Sequence, residues 1–596
     1  MKFGGYLLTS AAVMLPFGAS AQGAFELEEA VVFSGLLPVE VNRTGASVEV
    51  IDDTDLEGAS QSVQEALTRL PGVSVVANGG LGQESTLAIR GLGETYVGVT
   101  FDGIEVTDPA APTNAFAFGQ LSRAAVGRLE LSKGTQTAVY GSDAIAGTVD
   151  VTSWRPSKDG LSYGGSAEIG SFGNYAGTFH LGQRDAGGDV ALTLSRIVSD
   201  GYAADNTNEE KDGFRQTLLT FSIDRSISET VSAGLSFFRS DDETEYDAFG
   251  AEEGLSDGER TGVRLFSTID AGGIEHEIAT SYFNVVRDEV SAFGPFPFEG
   301  TRRKLEYIGR TAVGGSVDLA FGADWTKEIS AAGGVPYEDE NGGVFGEVNW
   351  APTDATDLSF SLRHDVYTDF DDQTTGRIAA VHRMGGDLTI KGTLGTGYRA
   401  PSLQERFGFG GNPAFVPEES VGGDLGVTKG FANGSVTATV FYTEIDSLIR
   451  YDRATFSLFQ LPGTTVSQGV ELSGDWKVGA ASLYGAYTYT DATTEDARLV
   501  RVPRHDLTLG LEMPVTDKVR GGIELRHVMD LLDVDGAGTS VALDDYTVAN
   551  VSVSYDLSEK TQAYLRVDNI LDEDYQTTLG YDAPGRSVFV GLRASF

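Results

Sequence analysis

A chain of 596 residues is too long for one ordinary core, so it is either several domains or one large closed sheet. A formal charge of -44 excludes nucleic acid as a partner, and the absence of cysteine excludes disulfides, a thiol nucleophile and Cys-based metal or redox cofactor sites. With 76 glycines for turns and 10% aromatic residues for the rims of a membrane barrel, the closed sheet is the better reading.

Residues 1–21 read as a cleaved secretory signal: Lys2, an apolar run through Leu7, Leu8, Leu15 and Phe17, then Ala19-Ser20-Ala21 before Gln22. No other stretch approaches the roughly 20 continuous apolar residues of a membrane helix, so a mature chain that crosses a membrane does so as strands. After a lead segment at 22–40, residues 41–155 have the short pieces and dense turns of a compact α+β domain. There Val63, Ala66, Leu67 and Leu70 recur at helical spacing over residues 61–70, and Pro71-Gly72 ends the helix. Strand-like runs follow at residues 73–76, 86–89, 97–101 and 128–131.

From 156 to 596 the pattern becomes alternation broken by turns. Val436, Ala438, Val440 and Tyr442 point one way while Thr437, Thr439 and Thr443 point the other. Ala563, Leu565 and Val567 alternate with Tyr564, Arg566 and Asp568 in the same manner. At about ten residues per tilted strand plus connections, this region predicts an all-β membrane barrel of roughly 22 antiparallel strands, whose lumen must hold a plug. The preceding domain is that plug. The last strand sets Val588, Val590, Leu592, Ala594 and Phe596 on a lipid face against Ser587, Gly591, Arg593 and Ser595, and is expected to close the wall on a first strand near residues 161–169. Export signal and closing strand agree on a Gram-negative outer membrane.

Over essentially its whole mature length the chain resembles the TonB-dependent outer-membrane transporters. The plug carries their phrases in order: Leu70-Pro-Gly-Val73, Ile89-Arg-Gly91, the run from Val99 to Val106, and the run from Val126 to Val151 that contains Val139-Tyr-Gly-Ser-Asp-Ala-Ile-Ala-Gly147. Glu28, Glu29, Ala30, Val31, Val32, Phe33 and Ser34 lie where the family keeps its TonB box, departing from its pattern at Phe33 and Ser34. A short β-prone segment of this kind adds as a strand to a partner's sheet edge. The resemblance implies TonB as partner, energised by ExbB and ExbD, a monomer surrounded by outer-membrane lipid, and no catalysis.

Within the family the chain is most similar to cobalamin receptors of the BtuB type. The resemblance places the substrate on the plug apices, at Asn78, Gly79, Gly80, Leu81, Gly82 and Gln83, and around Asn114 and Phe116 on a second apex. Barrel phrases at Tyr398-Arg-Ala-Pro401, at Ile445 to Asp452 and at Asp568 to Tyr575 follow the same phrasing, though they recur in haem and siderophore receptors. Two acidic stretches discriminate better: nine carboxylates between residues 241 and 259, and four between 205 and 212. Calcium takes six to eight oxygen ligands from such flexible acidic loops. The resemblance implies loop-ordering Ca2+ held by Glu210, Asp212, Asp247 and Asp257; the ligand expected at Ala203 is missing, and either Asp205 substitutes for it or the site holds fewer ions.

The alternative is a ferric siderophore or haem receptor. Haem receptors use axial histidine, and residues 398–417 have none. Anionic ferric siderophores favour a basic mouth, against which the acidic stretches count. No HExxH, GxSxG or Walker pattern points to an enzyme, and a passive porin needs neither plug nor TonB box.

Overall fold

The computed structural model describes residues 31–596 except 33, 54, 59–61, 249–251, 453–454 and 496. Residues 1–21, read above as an export signal, and Glu28, Glu29, Ala30 and Phe33 lie outside the described residues. The plug is built on a five-stranded sheet in the order Ser47–Asp52, Arg128–Lys133, Gly147–Thr152, Val97–Phe101, Ile104–Glu105. Only Val97–Phe101 and Gly147–Thr152 run parallel in it. A separate hairpin pairs Val73–Ala77 with Ser85–Ile89, so all four strand runs read from the sequence form. The helix is shorter than its apolar spacing predicts, Val63–Leu67. Ser62 caps it by accepting from the Gln64 N–H, and Gly72, at φ +77°, turns the chain away after Pro71.

The plug sits inside the wall. Its apolar core of Leu67, Leu87, Ile89, Val99 and Leu129 is continuous with Leu218, Phe238, Phe283 and Ile445 on barrel strands. The wall is a closed barrel of 22 antiparallel strands, with the two-residue strand Ala497–Arg498 appended to one of them. The closing strand Ser587–Ser595 pairs on one side with Thr561–Asp568 and on the other with the first strand, Gly160–Gly170. At that joint the Tyr163 and Phe596 rings stack at 5.1 Å, and the two residues exchange backbone hydrogen bonds of 3.0 and 2.8 Å. The alternation read from the sequence is the alternation of exposure: Val440 is 51% exposed, and Thr439 beside it 4%.

The two ends of the barrel differ. One carries turns of two to four residues, such as 186–187 and 432–433, while the other carries connections as long as 400–417 and 447–463. Short turns mark the periplasmic end of such barrels and long loops the extracellular end. Six consecutive strands, from Val231–Ala248 through Val335–Thr353, run 16–20 residues, against 12 in Asn174–Asp185 or Gln373–Met384.

Three of the plug phrases meet at one barrel carboxylate. Arg90 donates through Nε to Glu471 at 2.8 Å and through a terminal nitrogen to Asp424 at 2.7 Å. Lys133 reaches the second oxygen of Glu471 at 3.4 Å, Glu49 at 3.0 Å and the Pro71 carbonyl at 2.9 Å. Gly72 lies against the same carboxylate, where an added Cβ would overlap Oε1, and its N–H donates to Thr488 at 2.7 Å. The glycine after the proline is therefore a close-approach residue as well as a helix stop.

Candidate functional site

Residues 78–83 form the tip of the plug hairpin at the long-loop end. The tip is pinned by Asn78 N–H to the Glu84 carbonyl at 3.0 Å and by Gly82 N–H to the Gly119 carbonyl at 3.0 Å. Gly82 has φ +80°, and a Cβ there would overlap the Phe214 ring. Gln83 is buried and donates to the Glu245 carbonyl at 2.6 Å, tying the tip to an extended barrel strand. Gly79, Gly80 and Leu81 line a cavity of about 300 Å³, within the usual range of small-molecule sites.

Barrel aromatics form the opposite wall of that cavity. Tyr546 and Tyr575 stack at 4.3 Å, and Phe172 leans on Tyr202 at 5.2 Å. The Tyr202 hydroxyl is buried with no hydrogen-bond partner among the described residues. Both guanidinium groups lining the cavity are already neutralised: Arg526 by Asp506 at 2.7 Å, and Arg566 by Asp568 and Glu168. Glu65, Glu524, Asp568 and Asp582 also line it, so the pocket of ring faces and hydroxyls is acidic on balance and offers no unpaired cation among the described residues.

The second apex spans residues 108–117. Asp108 accepts from the Ala110 N–H at 2.7 Å and from Arg287 at 3.1 Å, while Ser402 donates to the Pro112 carbonyl at 2.9 Å. Asn114, at φ +52°, presents a buried Oδ1 without a hydrogen-bond partner among the described residues to a separate cavity of about 60 Å³. Phe116 turns down onto the core, edge-on to Phe118 at 4.9 Å. The first apex thus touches the chain just beyond the second, at Gly119, yet the two apices serve different cavities.

The longer acidic stretch is a hairpin rather than a loop. Asp241 to Ala248 belong to the strand Val231–Ala248, and residues 252–259 to its partner Glu252–Ala271. Pairing fixes Asp247 opposite Glu253 and Asp257 opposite Glu243, four residues further along, about 13 Å at 3.3 Å per residue. The structure therefore does not gather Asp257 with Asp247. Asp205 spends one oxygen on Thr207, accepting at 2.7 and 2.6 Å. Burial, with Asp247, Glu210 and Glu245 close by, pushes the Asp212 carboxyl up to about 7. Asp247 accepts from Asn208 at 2.6 Å. Among the described residues no three acidic or histidine side chains converge as a metal shell. The donor chemistry at Glu210, Asp212 and Asp247 suits a hard cation, since like charges there raise one another's proton affinity.

At the short-turn end, Val31–Val32 pairs with Val39–Glu40. Val32 is fully buried beside Ala46 and Val48. The Ser34 carbonyl accepts from Arg377 at 2.8 Å and its hydroxyl bonds Thr44 at 2.9 Å. The described part of the box segment is thus folded onto the plug. No residue pattern announces Tyr546, Tyr575 or the Glu471 cluster as parts of one assembly, because their partners are distant in sequence.

The match to known proteins extends across both units. The barrel model for TonB dependent receptor-like proteins matches residues 153–570, and the TonB-dependent receptor plug domain matches 40–148. The chain is 24% identical over 595 residues to the vitamin B12 transporter BtuB of Photobacterium profundum, covering 95% of each chain. It is 24% identical over 602 residues to the BtuB of Vibrio cholerae serotype O1, covering 96% of this chain and 95% of the other. Solved structures of similar fold include the siderophore receptor PirA from Acinetobacter baumannii, with TM-score 0.79 and 16% identity over 92% of this chain and 98% of that one. The copper transporter OprC gives TM-score 0.79 and 17% identity over 93% and 99%. This chain belongs to the TonB-dependent receptors of the outer membrane, a family of transporters rather than an enzyme class.

Proposed function

We propose that this receptor imports a cobalamin-type corrinoid across the outer membrane. The observation that carries the reading is the ring-walled cavity beneath residues 79–81, whose lining has more carboxylates than cations and in which Arg526 and Arg566 are both paired, so that neither waits for an anionic ferric chelate. A large ligand whose rim is amide groups matches ring faces and the unpartnered Tyr202 hydroxyl. The BtuB relatives, similar from end to end, are named as vitamin B12 transporters and support the same reading.

Calcium at Glu210, Asp212 and Asp247 would neutralise the facing carboxylates and set residues 200–213 over the cavity. Residues 1–21 direct export and are removed, and the protein works as a monomer. Ligand at the mouth favours release of the segment that begins at Glu28, and by linkage release and ligand affinity affect each other equally. TonB, driven by ExbB and ExbD, then pulls on that segment. Equilibrium binding of cyanocobalamin to the purified receptor, with and without chelator, tests both claims. Binding of a ferric siderophore in place of cyanocobalamin defeats the corrinoid assignment.

A further inference from the structure

We propose that cargo descends along one side of the plug only, through a polar seam between Tyr140–Asp150 and the tall barrel strands, and that Leu36 is the lower gate of that seam. The proposal rests on the import reading above, but not on cobalamin being the cargo.

Two cavities meet end to end on this side. The upper one, beneath the second apex, holds Asn114 and reaches the extracellular segment at Ala400 and Pro401. The lower one, about 540 Å³, ends at Gly35 and Leu36 near the short-turn end. Both are bounded by Glu105, Tyr140, Ser142, Asp143 and Lys304, so they are consecutive chambers of one passage. The cavity beneath residues 79–81 shares none of these walls.

The passage is built for hydrated contact. Asn114 Oδ1 in the upper chamber and Thr107 Oγ1 in the lower are buried without hydrogen-bond partners among the described residues, ready to accept from or donate to something in transit. Seven carboxylates and four cationic side chains line the lower chamber, an excess of negative charge that admits neutral or cationic solutes and repels anions.

Its floor is the chain that TonB pulls. Leu36 is buried with Leu37, Val139, Ile308, Ala320 and Phe345. Barrel side chains grip its backbone on both sides: the Leu36 N–H donates to Glu347 at 3.1 Å, and its carbonyl accepts from Arg310 at 3.0 Å. Leu36 follows Val31–Val32 by four residues, so tension on the box segment reaches this stopper before any strand of the five-stranded sheet. Withdrawing it exposes the lower chamber to the periplasm while the sheet stays in place.

The chain has no cysteine, so a single one reports cleanly. Ser281→Cys places a thiol on the barrel wall of the lower chamber. We expect a bulky maleimide to label it in energised cells supplied with substrate and not in cells lacking TonB. The conjugate should keep ligand binding at the mouth and lose uptake down to the level of cells without TonB. Uptake at the unmodified rate with the thiol fully conjugated overturns the route. Independently of any cargo, Leu36→Gly should give a steady cation-selective conductance in planar bilayers that the unsubstituted protein lacks; no conductance, or anion selectivity, overturns the gate. Failure of cyanocobalamin to bind the unsubstituted receptor would instead defeat the corrinoid assignment and leave both tests standing.

Discussion

Replacing Glu471 with alanine should loosen the plug in the barrel without dissolving either. Glu471 is 3% exposed and accepts from Arg90 at 2.8 and 3.3 Å and from Lys133 at 3.4 Å. Removing one partner of a buried ion pair costs about 3–5 kcal/mol, because the charge left behind stays desolvated. Here Arg90 retains Asp424, and Lys133 retains Glu49 and the Pro71 carbonyl, so neither cation is abandoned. The loss therefore falls at the low end, about 3 kcal/mol, which raises the population of the locally opened plug by roughly two orders of magnitude. Native-state hydrogen exchange in detergent reads this directly. Amides of residues 70, 72–73, 89–91 and 133–134 should exchange faster together, while strands far from the cluster, such as Gly160–Gly170, keep their protection. Unchanged exchange at those plug amides would refute the idea that the three phrases act through this carboxylate.

Four other outcomes are expected. Gly82→Ala drives a Cβ into the Phe214 ring at φ +80°, so it should reshape the apical tip and abolish cyanocobalamin binding, while the heat-modifiable mobility of the folded barrel is retained. Asp212→Asn should make ligand affinity insensitive to chelator, as measured by titration calorimetry. Burial pushes the Asp143 carboxyl up from 3.8 to about 7, so its contribution to plug stability is fully present below pH 3.8 and lost as pH rises through about 7. Asp143→Asn should flatten that part of the pH dependence of exchange over residues 140–147. Arg377→Ala releases the Ser34 carbonyl, and loss of a charge-assisted hydrogen bond of roughly 1.5–3 kcal/mol should tighten binding of the TonB C-terminal domain by about tenfold or more in the absence of ligand.

What is legible in the sequence is whatever repeats with the period of an element. Val436, Val440 and Tyr442 announce a lipid face because alternate strand residues share a side, and the structure exposes all three. The plug strand at Val97–Phe101 has the bounds read from the chain, since a Gly-containing turn follows it at once. Residues 241–259 are harder, because their charge masks their periodicity. Asp and Glu there suggest a solvated loop, yet the stretch pairs with itself as a hairpin up to Ala248 and Glu252, held on its flanks by Phe214–Ser226 as far as Thr244 and by Ile274–Ser291 from Leu255. Asp257 stands apart from the expected calcium group for that reason. Likewise Phe116 is expected in the mouth, where an aromatic is chemically at home, but the neighbouring Phe118, Phe238 and Phe283 draw it onto the core. Glu471 and Arg90 stand 381 residues apart, and no local pattern in a single chain couples positions so far separated.

The six long strands have a geometric consequence. A strand of 20 residues is about 66 Å long, or about 47 Å along the membrane normal at a 45° tilt, against an apolar band of about 25 Å. With short periplasmic turns, most of the excess stands outside the cell on one flank of the barrel, as a parapet about 20 Å high. The rim is therefore lopsided, and diffusing molecules meet a screen from one direction and an open sill from the other. Nine carboxylates ride on that screen between residues 241 and 259, so it also carries a cloud of counter-ions. Capture should slow for bulky polyanions and be least hindered for compact neutral solutes arriving over the low side.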